Sequence, residues 1–226
     1  LSQSENFVLY LLESRKGYYD FQYLLYNIVT WNRDFVSNPL RLPKVSFPKT
    51  EYRHLAIINY CRKIFDQVVI VPAFQTPNKK NKPVATTYQR IKMLELLTIN
   101  IKFNVIIEKN EINNSKVSYT IDTIDYLKKK YYNYQITMAL GLDQLLDLYN
   151  WKDYEKIMKN VKIIGFNRPN IDDYSIREFK KIIFFDDLNV TASSSIIRKK
   201  ISNFQFPIED LTPEVAKYIT EQKLYK

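Results

Sequence analysis

One histidine, His54, and one cysteine, Cys61, occur in 226 residues, so chemistry that needs imidazole or thiolate rests on two side chains. A His-based metal site or a Ser/His/Asp triad would depend entirely on His54. A lone cysteine excludes an intrachain disulfide and any Cys-rich metal cluster, and Cys61 reads as a neutral core thiol. No metal ligands are assigned. Other patterns suit anion and hydroxyl recognition. In "TASSSIIRKKI", Ser194 and Ser195 stand at a helix start with Arg198 one turn on. That set converges on phosphate through the helix dipole and charge-assisted bonds, or simply caps a helix carrying a solvated arginine. In "QITMALGLDQ", Asp143 lies just past an apolar run, where a carboxylate needs a partner or solvent, and Gly141 lets backbone approach a bound group.

The elements that must position these residues alternate. "HLAIINYCRKIF" predicts an amphipathic helix and "QVVIVPAF" a buried strand ending at Pro72. The basic loop "NKKNKP" follows, then a helix over "TTYQRIKMLELLTIN" with Thr86 or Thr87 as N-cap. Strands are expected at "FNVIIEK", "QITMALG" and "VKIIGF", a helix at "YTIDTIDYLKKKYY", and helical turns around Trp151. This alternation implies a Rossmann-like α/β fold, a doubly wound parallel sheet with ligands at the carboxyl ends of its strands. Residues 1–42, with Phe7, Leu11, Phe21, Leu24, Leu25 and Ile28 at helical spacing, predict a helical N-terminal extension of two helices, apart from a domain over 43–226. Pro39, Pro43 and Pro48 mark the boundary or a broken strand.

Three glycines, Gly17, Gly141 and Gly165, are too few for a Gly-rich dinucleotide turn or a P-loop. No apolar run is long enough for a membrane span. The formal charge of +10 suits anionic partners such as nucleotides, but the lysines also fit solvated faces, and no aromatic-plus-basic motif supports nucleic-acid binding. A start at Leu1 is consistent with a removed targeting segment, and with one cysteine and abundant lysine the expected location is mitochondrial, with cytoplasmic as the alternative.

"SYTIDTIDYL" followed by "MALGLDQLLDLYNWKDYEKI" resembles the centre of the bacterial-type nicotinate or nicotinamide mononucleotide adenylyltransferases of the nucleotidyltransferase superfamily. "GFNRP", "TASSSIIRKKI" and the closing "LTPEVAKYITEQKLYK" resemble later segments of the same family. The resemblance runs from about Phe47 to the C-terminus, roughly four-fifths of the chain. It implies ATP, Mg²⁺ and a pyridine mononucleotide or NAD as ligands. It places Thr120 and Trp151 at the pyridine, Gly141 and Asp143 at the nucleoside, and Lys79, Ser194, Ser195 and Arg198 at phosphates, with Ser46, Phe47, Tyr119 and Arg168 also in the nucleotide-binding set. Pro72, Pro77, Arg90 and Met93 match the loop that carries Lys79 and the helix after it, with Asn78 in place of the family's histidine; Leu224 and Tyr225 match its closing pair, a packing feature.

The departure lies before "HLAIINY". The family carries Gly-Gly-Ser/Thr-Phe-Asp-Pro-x-His-x-Gly-His there, whereas this chain reads "KVSFPKTEYRHL". Matched on His54, only Ser46, Phe47 and His54 survive. Lys44 and Val45 replace two glycines, Glu51 the first histidine and Arg53 the third glycine. The family reaction adds the mononucleotide phosphate to the α-phosphorus of ATP by positioning and charge stabilisation, with His54, Lys79 and Arg198 as the implied catalytic residues. Bulky Val45 and anionic Glu51 oppose this. The sequence therefore implies a catalytically impaired pseudoenzyme serving as a structural subunit of a larger assembly, with residues 1–42 contacting protein partners; the alternative is an active adenylyltransferase of NAD biosynthesis.

Overall fold

The computed structural model describes residues 5–11, 28–30, 53–75, 85–101, 104–114, 116–166, 183–185, 200–203 and 211–225. Its strands are β1 (Glu5–Leu11), β2 (Ile28–Thr30), β3 (Val68–Ile70), β4 (Val105–Ile107), β5 (Tyr134–Gly141), β6 (Lys162–Phe166) and β7 (Ile183–Phe185). The helices are α1 (Arg53–Ile64), α2 (Thr87–Thr98), α3 (Asn110–Asn114), α4 (Thr120–Lys130), α5 (Leu142–Leu145), α6 (Tyr154–Asn160) and α7 (Pro213–Glu221), with a 3-10 turn at Leu148–Asn150.

All strands join one sheet. β4 pairs in parallel with β3, β5 with β6, and β6 with β7. Between β3 and β5, backbone from the N-terminal segment completes the sheet: β1 runs parallel to both, and β2 runs antiparallel to both. The extension expected to be helical is thus corrected at its described residues. "ENFVLYL" and "IVT" are strands. The physical reason is that a short apolar run has no periodicity able to separate a buried strand from a helix, and the pairing offered by β5 decides it. The proposed division at residue 42 and the proline-marked stretch after it lie outside the described residues.

The alternation of a pleated strand sends successive side chains to opposite faces. Val68, Ile70, Ala139, Ile164 and Phe166 pack on one face with Ala56, Ile57, Tyr60 and Cys61 of α1, Met93 and Leu94 of α2, and Val215 and Ile219 of α7. Leu224 and Tyr225 close this cluster, as a packing role for the terminal pair requires. Val69, Val71, Ile136, Met138, Leu140 and Ile163 face the other way, onto Ile121, Ile124 and Leu127 of α4 and Ile157 of α6. Helices therefore cover both faces. Burying each such aliphatic side chain is worth about 1.5–3 kcal/mol against exposure, so the two layers supply most of the driving force.

Local signals set the helix ends. Thr86 caps α2 through a reciprocal pair with Gln89, whose N–H donates to Thr86 Oγ1 at 3.2 Å while the Thr86 N–H donates to Gln89 Oε1 at 2.8 Å. In α4, Asp122 sits in the first turn and Lys128, Lys129 and Lys130 in the last, complementing the helix dipole. α7 starts at Pro213 after the cap Thr212.

Cys61 is fully buried, and burial pushes its thiol far above the ordinary range. The native protein is expected to leave a colourless-to-yellow disulfide thiol reagent unreacted for minutes and to consume one equivalent in denaturant; rapid native reaction would contradict this burial.

Candidate active site

Parallel pairing brings the carboxyl ends of β3, β4, β5 and β6 to one end of the sheet, and the chain leaving each strand there builds the candidate site. After β3, Gln75 bridges to Val117, and the Ser118 N–H donates to the Gln75 carbonyl at 2.8 Å. This ties the "SYT" segment to the exit of β3. Tyr119 is the N-cap of α4 with no side-chain capping bond, and its carbonyl accepts from the Asp122 and Thr123 amides at 3.0 and 3.2 Å. Thr120, half-buried, opens the helix.

At the end of β5, Gly141 pairs with Phe166 of β6 and donates its amide to Gln144 Oε1 at 3.3 Å. Gln144 is buried, and its Nε2 has no acceptor among the described residues. Asp147, also buried, accepts from Asn150 Nδ2 at 2.9 Å, which shapes the 3-10 turn leading to Trp151. Asp153, at φ 53°, then reverses the chain in the left-handed region that Asp tolerates.

Trp151 is half-buried against the same core layer as Tyr119, and its indole Nε1 is buried without an acceptor among the described residues. A buried indole N–H usually finds a partner, so an orphan donor here is what a ligand acceptor would satisfy. An open cleft runs beside it between Asp153, Tyr154, Glu155, Lys156 and Lys159. Lys152 Nζ lies 4.5 Å over the Tyr119 ring and 3.5 Å from Asp122 Oδ1, joining the tryptophan turn to the start of α4.

Of the residues singled out in the sequence, Tyr119 and Trp151 pack against one core layer; Thr120 opens α4, Gly141 ends β5 and Asp143 follows in α5. His54 falls in the first turn of α1, but its side chain and that of Asp143 lie outside the described residues. So do Ser46, Phe47, Lys79, Arg168, Ser194, Ser195 and Arg198.

The family model described as cytidylyltransferase-like matches residues 51–200. A protein of Clostridium acetobutylicum named as a probable nicotinate-nucleotide adenylyltransferase is 32% identical over 171 residues, covering 71% of this chain and 84% of its own. This chain belongs to the nicotinate-nucleotide adenylyltransferase family. Another relative so named, from Methylacidiphilum infernorum, is 30% identical over 80% of this chain and 88% of its own. Solved structures of Plasmodium falciparum nicotinic acid mononucleotide adenylyltransferase, complexed with NaAD and with APC, share the fold at TM-scores of 0.57 and 0.54. Each is 21% identical and covers 71% of this chain and 83% of that one.

Within the family's fold, the structure adds residues that sequence spacing did not single out. Arg90 was matched only as part of a helix, yet it is 1% exposed and donates through Nη1 to the Ala73 carbonyl at 2.6 Å and through Nη2 to the Phe74 carbonyl at 3.3 Å. It thereby fixes the chain leaving β3. Glu108 is buried at the end of β4, where Lys130 pairs with it and the Tyr126 hydroxyl donates to it at 3.4 Å. Glu111 is buried on α3 and receives the Thr123 hydroxyl. Their signal in the sequence is faint, because an acidic residue near a polar loop looks solvated until the fold closes over it.

Proposed function

We propose that this chain keeps the pyridine-mononucleotide side of the family's site while its ATP-phosphate side is impaired, making it a slow nicotinate-nucleotide adenylyltransferase. In that reaction a phosphate oxygen of the mononucleotide forms a bond to the α-phosphorus of ATP as the bond to pyrophosphate breaks, giving a dinucleotide. Tyr119, Thr120 and Trp151 would enclose the pyridine ring. Gly141 would admit the nucleoside, and Asp143 would accept from ribose hydroxyls. His54, Lys79, Arg168, Ser194, Ser195 and Arg198 would handle phosphates.

Among the described residues no three metal-ligating side chains gather. Mg²⁺ would arrive bound to the triphosphate, with several waters kept among its ligands. There it would neutralise phosphate charge.

One observation supports the reading: Tyr119 and Trp151 pack against one core layer, with an orphan indole donor, while "KVSFPKTEYRHL" departs from the glycine- and histidine-rich signature that the resemblance leads one to expect. Losing one preorganised donor commonly costs about two to three decades in rate. Taken to its limit, the reading makes the chain a silent, structural subunit of a larger mitochondrial assembly, in which residues 1–42 beyond β1 and β2 contact partner proteins.

A second reading, a fully active enzyme of NAD biosynthesis, is favoured by the survival of His54, Lys79 and the Ser194–Ser195…Arg198 set. Calorimetric titration with ATP·Mg²⁺, the deamido and amidated mononucleotides and NAD, beside a pyrophosphate-release assay, separates them. Pyridine-nucleotide binding with turnover below about 0.1 per second, some two decades under a typical enzyme, is expected. Turnover near that typical value would favour the second reading, and absence of nucleotide binding would leave only the structural subunit.

A further inference from the structure

Glu111 and Thr123 come from different elements, α3 and α4, and their side chains meet in the interior: Glu111 is 7% exposed and Thr123 is 3% exposed. The Thr123 hydroxyl donates to Glu111 Oε1. The Ser118 side chain lies close enough to the same carboxyl to favour its ionised form. Ser118 and Thr123 bracket Tyr119 and Thr120, the N-cap and first residue of α4.

The N-cap residue Tyr119 makes no side-chain capping bond. The start of α4 is held by the Tyr119 carbonyl from within and, across the chain, by this shared carboxyl. On the far side of the same residues, the Ser118 amide is fastened to Gln75 at the exit of β3.

We propose that Glu111 is a positioning residue for the pyridine-nucleotide site: its buried carboxylate clasps the Thr123 hydroxyl and the Ser118 side chain and so fixes Tyr119 and Thr120 between them in the geometry that receives the ligand. This rests on the proposed reading of that site. Glu111 touches no ligand and acts through the turn it holds.

The clasp has a protonation state. Burial, chiefly, pushes the Glu111 carboxyl up to about 7, against the downward pull of the Thr123 and Ser118 hydroxyls; Asp122 adds a smaller upward push. Asp122, 3.5 Å from Lys152 Nζ, is its charged neighbour. The carboxylate accepts from Thr123 and has the Ser118 side chain beside it. The protonated form loses the charge assistance of these contacts, which loosens the hold on the turn. If only the ionised form holds the turn, the competent fraction rises about tenfold between pH 6 and pH 8, and apparent affinity rises with it. Stability moves oppositely. A raised carboxyl pKa favours folding below the unfolded value, and this contribution is lost as pH climbs through about 7.

The test uses the full chain, nicotinate mononucleotide and a non-hydrolysable ATP analogue, with wild type, Glu111→Gln and the isosteric Thr123→Val compared by calorimetry from pH 6 to 8. Wild type is expected to bind the mononucleotide about tenfold more tightly at pH 8. Glu111→Gln should bind it about tenfold more weakly at pH 8 with only the slope of the ligand's own phosphate, and Thr123→Val should weaken it several-fold. The ATP analogue should bind all three alike.

Mononucleotide affinity and pH slope unchanged in Glu111→Gln would overturn the proposal, as would equal losses of both ligands accompanying a lowered melting temperature. Should wild type bind no mononucleotide at any pH, the reading of the site fails separately. Backbone amide resonances of Tyr119 and Thr120 then decide: they are expected to titrate together with a midpoint near 7 in wild type and not in Glu111→Gln, and static resonances in wild type would sink the clasp.

Discussion

Replacing Arg90 by Met is expected to destabilise the protein by about 3–4 kcal/mol. The guanidinium is buried and donates to two consecutive carbonyls, Ala73 and Phe74, just past β3. Met fills similar volume but donates nothing, so the Ala73 carbonyl loses a buried charge-assisted bond and the part-buried Phe74 carbonyl a longer, weaker one, together about 3–4 kcal/mol. For a chain of this size the melting temperature should fall by roughly 10 °C. Arg90→Lys keeps one donor and should recover about half. The second readout is ATP binding, because Lys79, to which the proposed function gives a phosphate role, follows Phe74 by five residues in the sequence. Thermal melts showing Arg90→Met within 2 °C of wild type would mean that these carbonyls are satisfied without the guanidinium.

The second large effect concerns catalysis and works in both directions. Glu51→His is expected to raise pyrophosphate release by about tenfold or more. On the proposed reading it would remove a carboxylate repelling phosphates by roughly 1 kcal/mol or more and return a donor to the position that the resemblance matches to the family's first histidine. Adding His54→Ala to that variant should remove about two to three decades, since one preorganised donor commonly contributes that much. In wild type the His54→Ala effect should be smaller in absolute rate, because less turnover is present to lose. A rate unchanged by Glu51→His would show that Glu51 stands away from the phosphates, contrary to the match on His54.

Glu108 offers a check on the fold that supports the site. It is 7% exposed and receives Lys130, the Tyr126 hydroxyl and the Asn110 amide. The Lys130 ammonium is raised above its ordinary value, first by the hydrogen bond to Glu108. Glu108→Ala should cost about 2 kcal/mol by chemical denaturation, less than Arg90→Met, because Lys130 and Tyr126 reach solvent once released.

Much of the architecture was legible along the chain. The run "VVIV" between polar flanks, the Thr86–Gln89 capping box and the Ile121, Ile124, Leu127 stripe each mark their element locally. Propensity, capping and burial all agree there, and such agreement makes a segment readable. The alternation of these elements gave the parallel sheet, and with it the end at which Gly141 and Trp151 would meet.

Residues 1–42 were not legible in this way. "FVLYL" satisfies a helix and a buried strand equally, and only the edges of β3 and β5 turn it into β1. The buried polar groups were equally hidden. Nothing local says that Arg90 serves carbonyls sixteen and seventeen residues earlier, or that Glu111 and Thr123 share an interior contact twelve residues apart.

By itself, the sequence determined the alternating elements and the family resemblance, because each depends on side-chain type and short spacing. Tertiary structure alone decided which strands fill the middle of the sheet and which charged groups are buried around the site. Those outcomes depend on backbone pairing and desolvation between segments far apart in the chain, and a single stretch of residues carries no record of either.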